Sequence, residues 1–205
     1  MNSRCCFSTM LLSLYVPAGV VAQAAEQSGL CWRARPKPQC GAFVLTDAGL
    51  YTRLVRATPD EGSTAAVLDY GLMVNVTPRD AVGASFFASI ETNAAVGPAV
   101  RYRRWFGTNA SLDLAVGVPI NGRQSGVFGL VKVNPTDWLG VALRPKLIQG
   151  YDFTNCTTFL CAPTTRTHFG ATAGVELSGP PGFAASVVGA LAFLLAVAAA
   201  AGSSD

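Results

Sequence analysis

Charge is what this sequence has least of: Asp, Glu, Lys and Arg make up 13% of its 205 residues, against about 25% in an ordinary soluble domain. So few ions cannot coat a water-facing surface, and something other than water is expected to cover part of it. Histidine is rarer still. His168 is the only copy, which leaves little room for His-based metal sites or catalytic triads; following Thr167, it reads as a residue of a barrel lumen or rim. No two carboxylates sit at a spacing that suggests an acid/base pair. Gly170-Ala171-Thr172-Ala173-Gly174 lacks the lysine and helix of a phosphate loop. The net charge of +3 comes from scattered bases, without the basic stripe that nucleic-acid binding wants. No catalytic, cofactor-binding or metal-ligating residues are therefore expected, and the chain reads as non-enzymatic.

Half the residues are hydrophobic, with 21 glycines and 12 prolines, a composition of tight turns and close-packed strands. The N-terminus carries one positive charge, Arg4, then the apolar run Met10 to Val16, broken by Pro17 and Gly19. Ala22-Gln23-Ala24 follows as a small-x-small cleavage site, so residues 1–24 read as a signal peptide. Cys31 follows Leu30 where a lipidation site needs a small residue. Removal of the signal takes Cys5 and Cys6 with it and leaves Cys31, Cys40, Cys156 and Cys161. Export favours disulfides over a four-thiolate zinc site. Four cysteines allow three connectivities, and the short spacings favour local pairs, Cys31 with Cys40 and Cys156 with Cys161.

After a Pro-rich, basic lead-in at 25–40, eight segments alternate with period two, the signature of strands. They fall near 41–56, 65–77, 81–91, 95–106, 110–119, 124–134, 137–150 and 165–177. The fifth is clearest: Leu112, Leu114, Val116, Val118 and Ile120 share one face, opposite Asp113, Ala115 and Gly117. The first alternates poorly, and a bulge is expected near Asp47–Gly49. The expected fold is all-β, an eight-stranded antiparallel up-and-down barrel over 41–177.

Alternation does not say which face is inside. A soluble barrel of the lipocalin type buries its apolar face, whereas a membrane barrel turns that face to lipid. The polar face here is mostly Gly, Ser, Ala and Asn, which suits a narrow lumen better than a solvated surface. The connections agree. Thr77-Pro78-Arg79-Asp80, Gly107-Thr108-Asn109 and Asn134-Pro135-Thr136 are short and follow the second, fourth and sixth segments. Most of the others are longer, reaching 151–164. Short turns on one rim and longer loops on the other mark outer-membrane barrels. A hairpin centred on Thr108 sets Arg103 opposite Asp113. Arg101, Lys132, Arg144, Glu91 and Glu176 have the parity to join them in a lumen charge network; the other reading is solvated charges on a soluble sheet. Trp105, Phe106 and Trp138 lie beside the short turns, as an interfacial girdle or as core aromatics.

The run GPAVRYRRWFGTNASLDLAVGV (97–118) resembles the strand–turn–strand units of uncharacterised bacterial outer-membrane-type β-barrel proteins, and RPKPQCGAFVLTDAGL is similar to their lead-in. The likeness covers roughly 35–177. It implies an eight-stranded barrel in the cell envelope and brings no catalytic residues. One feature departs from the pattern: such barrels usually finish on an aromatic residue, whereas here the eighth segment ends Val175-Glu176-Leu177 and the chain continues.

The continuation, 183–201, is nineteen uncharged and almost wholly apolar residues behind the breaker Gly179-Pro180-Pro181-Gly182. It reads as a transmembrane helix, with Ala185, Gly189, Ala192, Ala196 and Ala200 as a small-residue face for a partner protein or a second copy. A link at 178–182 is too short to cross a periplasm. Either the helix shares the barrel's membrane or the β-domain sits on the extracytoplasmic face of the inner membrane. The expected function is thus a structural or interaction barrel of the bacterial envelope, outer membrane favoured, with the lipid bilayer as its partner. The alternative is a tail-anchored extracytoplasmic barrel binding a small apolar ligand, and a lipid-active enzyme comes third.

Overall fold

The computed structural model describes residues 29–202 apart from 59–60, 92–93, 121–124, 153–155, 158–159 and 162–163; for 125, 150–152, 156–157, 160–161, 164–165 and 192–202 it describes the backbone alone. Residues 1–24, expected to form a signal peptide, lie outside the described residues. The chain folds into a closed antiparallel barrel of eight strands with one C-terminal helix. A two-residue strand β1 (Leu30–Cys31) precedes the barrel strands β2 (Ala42–Val55), β3 (Thr64–Asn75), β4 (Asp80–Ile90), β5 (Ala95–Trp105), β6 (Ser111–Gly117), β7 (Ser125–Asn134) and β8 (Leu139–Asp152). Two short strands, β9 (Cys156–Thr157) and β10 (Leu160–Cys161), pair within the next loop before β11 (Thr164–Leu177) closes the barrel against β2. Helix α1 follows over Pro180–Gly202.

The register fixes the barrel's shape. Following Cα partners once round from Ala42 passes Val74, Val82, Tyr102, Leu114, Val131, Leu143 and Ala173 and returns to β2 at Thr52, ten residues along. A stagger of this size over eight strands goes with a strand tilt of roughly 40° and a lumen that side chains can fill. It also leaves the first residues of β2 beyond the end of β11, whose last partner is Ala48. β1 pairs there in parallel, Leu30 with Ala42 and Cys31 with Phe43. Below it, α1 packs on the outward face of β2. Thr46 points outward yet is buried, and its Oγ1 donates to the Gly179 carbonyl at 2.8 Å. A side chain at Gly182 would collide with the Thr46 and Leu177 carbonyls, so glycine there permits the close approach.

Three details differ from the sequence reading. β2 pairs with β3 without interruption from Ala42 to Thr52, and the bulge falls instead where the β11 register shifts from Arg53 to Val55. The long loop is shorter than 151–164, because Thr164 and Asp152 still pair as strand residues. The helix begins at Pro180 rather than beyond Gly182: prolines fit a first helical turn, where their missing N–H groups have no partner anyway. No free link therefore separates barrel from helix. Among the residues whose side chains are described, no helix is long and apolar enough to cross a membrane.

Candidate functional site in the barrel lumen

Alternate residues of each strand point inward and build the lumen in layers. At the short-turn end lies an apolar plug of Phe43, Leu45, Met73, Ala81 and Trp105, closed from outside by Ala34 of the lead-in. Phe43 and Trp105 meet edge to face at 5.9 Å. The Trp105 indole donates to Asn75 Oδ1 at 3.0 Å. The Asn75 amide in turn donates to the Arg35 and Cys40 carbonyls at 2.7 and 2.9 Å. Trp105 is thus a core residue, whereas Phe106 and Trp138 of that rim are exposed.

The lead-in is held over this rim like a strap. The Cys31–Cys40 disulfide closes it, and it touches all three short turns: Asn75 precedes the first, the Arg35 guanidinium reaches Thr108 O at 3.2 Å and the Asn109 side chain in the second, and Arg33 and Arg35 both pair with Asp137 in the third. The Arg33 hydrogen bond, against a smaller effect of burial, holds the Asp137 carboxyl below its ordinary range.

Above the plug sits a central ion cluster. Lys132, with no exposed surface, places Nζ 2.5 Å from Asp47, 2.9 Å from Glu176 and 3.6 Å from Asp113. Arg103 and Asp113 are Cα partners and form a two-point pair at 2.5 and 2.6 Å. Asp47 and Asp69 face each other directly across β2 and β3, a like-charge contact that repels until Arg101 bridges it, at 3.1 Å to Asp47 and 2.5 Å to Asp69. Glu176 also accepts from the Tyr51 hydroxyl. Glycine makes the space: a Cβ at Gly49 would lie 2.7 Å from Glu176 Cγ, and one at Gly140 2.9 Å from Lys132 Cδ.

Near the long-loop end lies a second, separate cluster. Arg53 pairs with Glu61 and with Glu91, the latter at 2.5 Å. Lys146 completes a ring, 2.8 Å from Glu61 and 3.1 Å from Glu91. Burial pushes the Glu61 carboxyl up, but Lys146, the Ala57 amide and Arg53 outweigh it and hold the group below its ordinary range. Between the clusters Arg144 is packed among rings, its guanidinium carbon 4.7 Å from Phe128 and 5.6 Å from Phe87 and Tyr51.

The expected single network is therefore two. Arg101, Arg103, Asp113, Lys132 and Glu176 come together in the central cluster. Glu91 belongs to the ring at the mouth, and Arg144 stands with aromatics, with no carboxylate partner among the described residues. Asp47, Asp69, Arg53, Glu61 and Lys146 were not anticipated as members. Inward parity marks Asp47 and Asp69, which share a face with Gly49 and Gly71. Glu61 lies in a loop, where no periodicity points to it. Of the cysteines, Cys31 and Cys40 are bonded; the backbone sets Cys161 opposite Cys156, while their side chains lie outside the described residues. Gly182 lies against Thr46 of β2 and Ser186 is buried, while of the small-residue face Ala185 is half-buried and Gly189 is exposed with open space around it; the side chains of Ala192, Ala196 and Ala200 lie outside the described residues.

The residues of the central cluster are all buried, none more than 4% exposed. Among the described residues no group of His, Cys, Asp and Glu is placed to hold a metal ion. No family model, curated protein or solved structure matches this chain.

Proposed function

We propose that this chain is a non-enzymatic membrane barrel of the bacterial envelope, in the outer membrane, serving as a structural or interaction element. One observation carries the reading: the same strands that bury ions inside present large apolar side chains outside. Phe86, Val100, Val116, Val133, Val141, Phe169 and Val175 are each more than half exposed, on six of the eight barrel strands. Such a belt is far larger than the patches soluble monomers leave uncovered, and acyl chains are its natural solvent.

Dimensions support the same reading. At a tilt of roughly 40° an eleven-residue strand rises about 28 Å along the barrel axis, enough for the apolar band of an outer-membrane barrel. Phe106, Trp138 and the edge-to-face Trp32–Phe183 pair lie at one rim, where interfacial aromatics anchor a membrane protein. Helix α1 starts on the lipid-facing side of β2 and exposes Val187, Val188 and Leu191, so the helix shares the barrel's membrane. The plug and ion cluster close the lumen, so the protein is no channel, and its contact surface is the long-loop rim. A tail-anchored soluble barrel with an apolar ligand in its core meets a lumen filled with charge.

The test is migration of the full chain on a gel without boiling, together with membrane extraction before and after deletion of 178–205. The membrane barrel shifts with heat and needs detergent in both forms. A tethered soluble barrel is released into buffer by the deletion, and that outcome sinks the reading.

A further inference from the structure

Among the described residues, Arg144 is the interior cation without a carboxylate partner. Arg101, Arg103 and Lys132 below it, and Arg53 and Lys146 above it, each pair with carboxylates. Arg144 is 7% exposed, its Nη1 has no hydrogen-bond partner among the described residues, and its guanidinium lies over the rings of Phe128, Phe87 and Tyr51. A buried guanidinium donor without an acceptor is costly, and that cost is relieved by any ligand that brings it an anionic oxygen.

The space for such a ligand exists. A cavity of about 80 Å³ opens toward the long-loop rim, with Arg144 in its wall and Phe87, Val127, Phe128 and Ile148 as its apolar lining. Its polar wall is the mouth ring. Of its charged lining, Glu61 and Glu91 are held by Lys146 and, from behind, by Arg53, which leaves Arg144 as the lining cation with no carboxylate on it among the described residues. The cavity is well below the usual size of a drug-like pocket, which limits the occupant to a small acid.

We propose that this mouth cavity binds a small aromatic or aliphatic monocarboxylate, its carboxylate on Arg144 and its apolar part against Phe87 and Phe128. A guanidinium recognises a carboxylate through two parallel N–H donors, which a neutral isostere cannot satisfy. The site depends on the lumen alone and stands whether lipid or water covers the barrel's outside.

Calorimetric titration of the folded full chain with benzoate, and in parallel with benzyl alcohol, tests it. Benzoate is expected to bind saturably with one site per chain, at least tenfold more tightly than benzyl alcohol. Arg144→Gln should weaken benzoate at least tenfold and leave benzyl alcohol unchanged. Should that variant fail to fold, Ala95→Phe fills the cavity from the β5 wall without touching Arg144, and it should abolish binding. The proposal is overturned by the absence of saturable benzoate binding, by equal affinity for acid and alcohol, or by full benzoate affinity in Ala95→Phe.

Discussion

The inner and outer walls of this barrel are made by neighbouring residues of the same strands, yet they obey opposite rules. Arg101 and Lys132 point inward and are essentially without solvent contact; Val100 and Val131, one residue before each, are widely exposed. An ordinary soluble domain does the reverse. The inversion explains the scarcity of charge: ions are used where they can be paired across a narrow lumen, and few are left over for the surface. It also assigns the glycines. On the inner wall Gly49 and Gly140 leave room for Glu176 and Lys132, so small residues there are spacers for long ones.

Loss of a central cation should break the inner wall hardest. Lys132→Met strands Asp47, Glu176 and Asp113 around a missing charge, and removing one partner of a buried pair costs about 3–5 kcal/mol. Urea unfolding of the refolded protein measures it; adding Glu176→Gln should recover part of the loss. The outer wall is tested at Val100, in the middle of β5. Val100→Arg should cost about 2–4 kcal/mol in bilayers, as a charge does at the membrane midplane. Arginine at Leu54, near the end of β2, should cost about 1 kcal/mol or less. Equal costs at the two depths would remove the lipid boundary from the account.

Smaller effects belong to the strap that caps the inner wall. Cys31 and Cys40 close a short loop, and replacing both with serine should cost about 2–3 kcal/mol by the chain-entropy relation, read as loss of amide protection over 30–40 in hydrogen exchange. The pH effect is smaller again. The Asp137 carboxyl is held lower in the folded state than in the unfolded one, so the unfolded state takes up its proton first as pH falls. Its contribution is fully present above about pH 4 and fades below that. Asp137→Asn should mimic the acid side, with exchange over 30–40 roughly two- to fivefold faster and no change in the barrel strands.

Much of this was legible because a period of two survives wherever one wall is ionic or small and the other apolar. The fifth segment reads cleanly: Asp113, Ala115 and Gly117 do face the lumen, and Arg103 does meet Asp113 across the turn. β2 is harder to read because both its walls are mixed. Phe43 and Leu45 face inward into the apolar plug, while outward Thr46 is covered by α1, so the bulge suggested by its weak alternation is an effect of cover. Trp105 faces the plug although its neighbour Phe106 is exposed; proximity to a turn does not tell these orientations apart, but parity with Arg101 and Arg103 does. The mouth ring depends on Glu61, set by loop geometry that no local pattern encodes. The helix start was obscured by reading two prolines as a stop where they serve as a first turn.

The central claim is that acyl chains touch the apolar wall, and a tryptophan placed there reports the solvent directly. In the folded full chain carrying Val116→Trp, the added fluorescence should be strongly quenched by lipids brominated deep in the acyl chain, and little affected by a water-soluble quencher. Quenching from the aqueous phase, with no response to the brominated lipids, would contradict the account.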